Sequence, residues 1–281
     1  MLIAVTVNLV NVVTSFLFVH HFNMQAEGVA LGSVVGQYSG LILALVIFFK
    51  KYKWIIPGFT STVSPLLKNM RQFINVSSDI FVRTLCIIAV FTFFTSRSAG
   101  IGDVTLAINS ALLQYLFLFA YFLDGFAYAG EALVGKYYGA RNKLMLGGTI
   151  RKLMFWGAGL AILFTLIYGL MGESLLRLFT KQSDVLYHGK NYLLWVTLIP
   201  LVSFASFIWD GIYIGITASR AMRNSMIISA ILFFFTPFYL LYPHVQNHAI
   251  WISMVLFMLS RGILLSILYP KAIRSFNDFK P

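Results

Sequence analysis

The sequence predicts an all-α protein that crosses a membrane about eight times, and three observations carry that prediction. The chain of 281 residues is 59% hydrophobic and only 11% charged, whereas a soluble domain carries about 25% charged residues. Apolar runs such as LILALVIFF, LAILFTLIYGL and AILFFFTPFYLLY recur along its whole length, at the centres of stretches close to the about 20 residues a helix needs to cross the hydrocarbon core. All but two of the 21 Lys and Arg residues, Arg83 and Arg261, fall between or at the edges of these stretches rather than in one patch.

Apolar stretches set against charged or turn-rich breaks place the spans near 3–22, 29–49, 79–96, 104–135, 150–171, 191–214, 224–242 and 248–269. A cleavable leader accounts for one such stretch at most. The fourth is too long for a straight crossing, and Gly125, Gly130 and Gly135 offer places for it to bend or tilt. Between the second and third spans, Pro57, Gly58, Pro65 and a Ser/Thr cluster break the regular spacing. The predicted organisation is therefore a two-helix piece over 1–49, a cytoplasmic connector over 50–78 and a six-helix piece over 79–281.

Basic residues resist translocation and are retained on the cytoplasmic side. With the N-terminus inside, fifteen Lys and Arg residues lie in inner segments, among them Lys50, Lys53, Lys136, Arg141, Arg223 and Lys280, and four lie outside: Arg97, Arg177, Lys181 and Lys190. Both termini are expected in the cytoplasm. The same bias, together with anionic lipid, accounts for the net charge of +12 without a nucleic-acid partner. The single cysteine, Cys86, excludes an internal disulfide. None of the five histidines has metal-site company, and no nucleophile–base set or phosphate loop is present. No enzyme, cofactor or metal is expected, and the lipid bilayer is the first partner.

Ionisable groups within a span cost several kcal/mol, so they face a cavity, pair up or mark an ion path. Six fall within spans: Asp79 and Arg83, Asp124 and Glu131, Asp210, and Arg261. Asp79 and Arg83 are four residues apart and can pair on one helical face; the alternative is that Asp79 exchanges its partner for a cation. Asp124, Tyr128 and Glu131 lie at i, i+4 and i+7, and two acids in one low-dielectric cleft favour proton uptake by one of them. A solvated Glu131 beside Lys136 is the plain alternative. Ser203, Ser206, Asp210, Tyr213 and Thr217 form a polar stripe that implies a cavity or a helix seam. Asp79, Asp124, Glu131 and Asp210 are thus candidate cation-coupling residues, Arg83 and Arg261 their charge partners, and Tyr128, Ser206 and Tyr213 candidate cavity groups.

At these charged spans the sequence resembles the DinF-type branch of the multidrug and toxic compound extrusion family. The stretches VSSDIFVRTLC at 76–86, YFLDGFAYAGEALVGKYYGARN at 121–142 and DGIYIGITASRAMRNSM at 210–226 carry the resemblance. It implies a twelve-helix pattern in two six-helix lobes, of which this chain would supply helices five and six and the complete C-terminal lobe. The first four helices, with an aspartate linked to release, would belong to a segment outside this chain and a candidate partner of it.

The function implied is secondary active transport in a bacterial inner membrane. A proton or sodium gradient would drive export of small amphipathic or cationic organic compounds, the lobes rocking about the connector. Two alternatives stand beside it: a truncated fragment that does not transport, and a lipid-linked oligosaccharide flippase of the same broader superfamily. Four acids against two arginines within the spans weigh against the second.

Overall fold

The structure, a computed structural model, describes residues 2–51 and 64–273. Lys53, Pro57, Gly58, Arg274 and Lys280 lie outside the described residues. Everything regular in the described residues is helical, and eight helical segments are long and apolar enough to span a bilayer. The chain is a polytopic all-α membrane protein, as its hydropathy predicts. It divides into two compact units, Met1–Met70 and Arg71–Pro281.

In the first unit, α1 (Leu2–His20) packs on α2 (Ala26–Lys51). Gly28, Gly32, Gly36 and Gly40 recur every four residues on α2 and are its buried positions. A Cβ at Gly32 would stand 2.2 Å from Ser15 Oγ and 2.7 Å from the Ser15 backbone nitrogen, and one at Gly40 would stand 2.2 Å from Val7 Cγ2. In lipid no hydrophobic force drives helices together, so close backbone approach along such a seam supplies the association. Two hydrogen bonds cross it: Asn11 Nδ2 donates to Ser33 Oγ at 3.0 Å, and Thr14 Oγ1 donates to the Gly32 carbonyl at 3.2 Å.

The third helix, α3 (Ser64–Ile101), starts well before the apolar window begins, so residues 64–78 of the expected connector are helical and continuous with the third span. Gly102, at φ 150, a value few side chains tolerate, separates it from α4 (Asp103–Gly139). Next come α5 (Lys143–Phe179), capped by Asn142, whose side chain accepts from the Met145 N–H, and the short α6 (Ser183–Gly189). A turn of 3-10 helix leads into α7 (Leu193–Gly215).

The seventh span is composite. It joins α8 (Ser219–Ile228), a π-helical stretch over Ser229–Phe235 and α9 (Thr236–Val245). Pro237 has no N–H to offer the carbonyl one turn back, and the helix widens just before it. The last helix is α10 (Asn247–Ala272).

Within the second unit α7 is the central helix, packing against α4, α5 and α10. Its partners approach closely because glycines line the seams. A Cβ on Gly211 would fall 2.1 Å from the Ala127 carbonyl oxygen of α4, and one on Gly215 would fall 2.8 Å from that of Glu131. On α5, a Cβ on Gly157 would stand 2.1 Å from Ile208 Cδ1. Gly130 and Gly135, read from the sequence as bend points, lie against Leu153 and Gly215, so close approach is a reason for glycine at both.

At one end of this unit a polar cluster joins three helices. Asn109 Nδ2 donates to Ser98 Oγ and to Asn247 Oδ1, both at 2.7 Å, and its own Oδ1 accepts from Trp251 Nε1 at 2.9 Å. Large apolar side chains such as Phe155, Leu166 and Leu170 are exposed on α5, the surface a bilayer covers.

Candidate functional site

The close seam between α4 and α7 decides where the charges meet. It sets Asp124, Tyr128 and Glu131 of α4 beside Asp210 of α7, while α3 brings Arg83 and α10 brings Arg261. All six border one cavity of about 310 Å³ inside the second unit. Its remaining wall is apolar and partly aromatic, with Phe91, Phe117, Phe207 and Met258 among the residues that form it.

The charges divide into a paired set and a partnerless set. Arg83 Nη2 and Arg261 Nη2 both donate to Asp210 Oδ2, the second at 2.7 Å. The three side chains are 16%, 4% and 12% exposed, so the cluster is largely dry. In that setting attraction is strong and any uncompensated charge is costly. Arg261 is further braced by its neighbours: its guanidinium lies 5.4 Å from the Phe257 ring centre, and Nη1 stands 3.4 Å from Met258 Sδ. Asp124 and Glu131, by contrast, have no hydrogen-bond or ion-pair partner among the described residues.

Asp79 is elsewhere. It is 4% exposed and does not pair with Arg83, which corrects the i, i+4 salt bridge allowed by their spacing. Its Oδ1 accepts from Arg223 Nη1 at 2.5 Å and its Oδ2 accepts from Ser219 Oγ at 2.7 Å, so α8 takes it up completely. The physical reason is competition: Arg83 turns to an acid that a second arginine already polarises, and Asp79 finds two donors on one helix. Asp79 does not border the cavity.

Ser206 and Tyr213, expected as cavity groups, are also corrected. Both are fully buried in the helix seams. Ser206 Oγ donates to the Ser203 carbonyl at 2.8 Å, and the Tyr213 hydroxyl donates to the Leu265 carbonyl of α10 at 2.7 Å. Trp209 Nε1 adds a bond to Ser266 Oγ at 2.7 Å across the same seam. The polar stripe is therefore a seam at Ser203, Ser206 and Tyr213; Asp210 opens onto the cavity, and Thr217 lies past the end of α7 and is exposed. Among the described residues no cluster of three or more His, Cys, Asp or Glu side chains could hold a metal ion.

The aromatic wall was not legible in the sequence, because Phe91, Phe117 and Phe207 look like any of the 27 phenylalanines. Arg223 and Ser219 were open to discovery. They stand in the DGIYIGITASRAMRNSM stretch with an apolar helix on either side, and a basic residue there reads equally well as a retention signal.

Fold and site together define a polytopic helical membrane protein that holds a charged cavity among its spans. The MatE family model matches residues 80–242. DNA damage-inducible protein F of Escherichia coli (strain K12) is 32% identical over 270 residues, 95% of this chain and 58% of that protein. The chain belongs to the MatE family, which is a family of transporters rather than of enzymes.

Solved structures agree on the fold. The Vibrio cholerae MATE transporter VcmN in its bent form gives a TM-score of 0.78 at 15% identity, covering 98% of this chain and 62% of the other. A MOP superfamily transporter from Pyrococcus furiosus gives 0.81 at 15% identity, over 99% and 63%. The chain thus spans less than two thirds of the length of each of these relatives.

Proposed function

We propose that this chain serves secondary active transport across a bacterial inner membrane, with both termini in the cytoplasm. A proton or sodium gradient drives export of small amphipathic organic compounds, cations among them. The single observation that carries the reading is the cavity in the second unit. It lies within the spans, places the partnerless Asp124 and Glu131 beside a buried Arg83–Asp210–Arg261 cluster, and has an aromatic wall.

Asp124 is the coupling carboxylate in this scheme. A group without a fixed partner can bind a proton or sodium ion, or the substrate's positive charge, without first breaking an ion pair. The two occupants exclude one another, and that exclusion links the gradient to export. The aromatic rings offer faces to an organic cation. Three acids against two arginines around the cavity set this scheme apart from a pyrophosphate carrier, whose site would be strongly basic.

Proteoliposomes test the reading. Vesicles loaded with ethidium and bearing the purified chain, with and without the segment that precedes the matched region in the Escherichia coli relative, are given an inward proton or sodium gradient. Efflux that follows one gradient and disappears in Asp124→Asn supports the proposal. Gradient-independent leakage in every preparation would overturn it.

A further inference from the structure

The arginine pair carries more positive charge than the one acid bonded to it, within a cavity that holds three acids against two arginines. Arg83 and Arg261 bring two positive charges to one carboxylate, and both arginines use Nη2 on the same oxygen, Asp210 Oδ2. The Nε donors of both arginines are buried and have no acceptor among the described residues. Arg261 is 3% exposed. Asp124 and Glu131 border the same cavity, yet neither forms an ion pair with these arginines. A buried guanidinium with an unmet N–H is costly to keep, and such a cost is met by a partner of opposite charge.

The missing partner is defined by what the pair lacks. Within the cluster bonded to Asp210 one positive charge remains, which matches a single carboxylate rather than a doubly charged phosphate. The unpaired Asp124 and Glu131 on the same cavity match the positive end of a zwitterion. Guanidinium forks match the two oxygens of a carboxylate in plane and spacing. The surrounding wall of Phe91, Phe117 and Phe207 calls for an apolar or aromatic body, and about 310 Å³ is near the small end of organic-ligand sites.

We propose that Arg83 and Arg261 form a carboxylate subsite, so that the cavity accepts small amphipathic carboxylates. Where the compound is a zwitterion, its ammonium lies toward Asp124. The proposal rests on reading this cavity as the substrate site and names one chemical class that it takes.

A matched set of probes tests it on the purified chain in nanodiscs: naphthylacetate, naphthylethanol and naphthylethylammonium, which share one ring system and differ in charge. Binding is measured by equilibrium dialysis. The carboxylate is expected to bind about tenfold more tightly than the alcohol, the value of one charge-assisted hydrogen bond. In Arg83→Gln that ratio falls to near one, and in Arg83→Lys, which keeps the charge and loses the planar fork, it is intermediate. Because the ratio compares two ligands on the same preparation, a general loss of folded protein does not change it.

Equal binding of carboxylate and alcohol by the unaltered chain overturns the subsite, as does a carboxylate preference that persists in Arg83→Gln. The ammonium probe keeps the two readings apart: if it binds and the carboxylate does not, cation export stands and the subsite falls.

Discussion

Gly211 of α7 lies so close to Ala127 of α4 that a Cβ built on it would stand 2.1 Å from the Ala127 carbonyl oxygen. The neighbour is backbone, which no rotamer change can move aside. That contact holds Asp124, three residues before Ala127, beside Asp210, one residue before Gly211.

Gly211→Ala is therefore expected to force the two helices apart and to cost about 1–3 kcal/mol or more. Gly125→Ala and Gly159→Ala, where an added methyl meets open space, serve as controls and lose almost nothing. Fluorescence-detected size exclusion after graded heating ranks the three. Equal thermal stability of Gly211→Ala and the controls would show that the seam is looser than described.

Asp124 and Asp210 should behave oppositely on neutralisation. Asp210→Asn leaves two buried guanidiniums without their counter-charge and is expected to destabilise the chain by about 3–5 kcal/mol. Asp124→Asn removes no bond and should change stability by about half a kcal/mol or less, while gradient-driven efflux falls more than tenfold. Detergent unfolding read beside vesicle efflux separates the two effects. A stable Asp210→Asn chain would mean that the two arginines are neutralised by some other group.

The tie between α3 and α8 is testable by a double-mutant cycle. Asp79→Asn and Arg223→Gln each remove the same 2.5 Å contact, so the double variant should lose less than the sum, with a coupling of about 0.5–3 kcal/mol. Arg83→Gln paired with Asp79→Asn should be additive, because these two share no bond. Coupling between Asp79 and Arg83 instead would restore the intrahelical pairing that the spacing allowed.

In the first unit, Gly32→Val is expected to break the α1–α2 pair, since its Cβ meets the Ser15 backbone at 2.7 Å. Crosslinking between cysteines introduced at Val7 and Gly40, in a background where Cys86 is serine, reports it: strong in the parent, lost in the variant. Persistent crosslinking would show that α1 can shift along the seam.

The eight spans were readable because hydropathy is a property of each segment alone, and long apolar runs have one solution in a bilayer. Their lengths were less so: α3 and α5 run past the expected stretches 79–96 and 150–171 at both ends, where more polar turns stay helical. Charge pairing was the part least open to a linear reading. Asp79 and Arg83 satisfy the local spacing rule, yet Asp79 bonds to a residue 144 positions away and Arg83 to one 127 positions away.

Tyr213 and Ser206 show the same limit on a smaller scale. A polar stripe predicts that a face avoids lipid, but whether it meets a hollow or a neighbouring helix depends on the partner's small residues. Here Gly262, whose Cβ would meet Ala205 and Ser206, closes the gap. Six ionisable residues could be singled out from the sequence; that five of them surround one hollow and the sixth stands apart is a property of the packing.

The Asn109 cluster has a mechanical corollary. Ser98, Asn247 and Trp251 all direct a polar atom to a single amide, so the ends of three helices cannot part there without leaving buried polar groups unmet. Whatever widening the bundle undergoes must be taken up at its other extremity, which gives these spans the action of a spring clip, stiff at the root and free at the jaws.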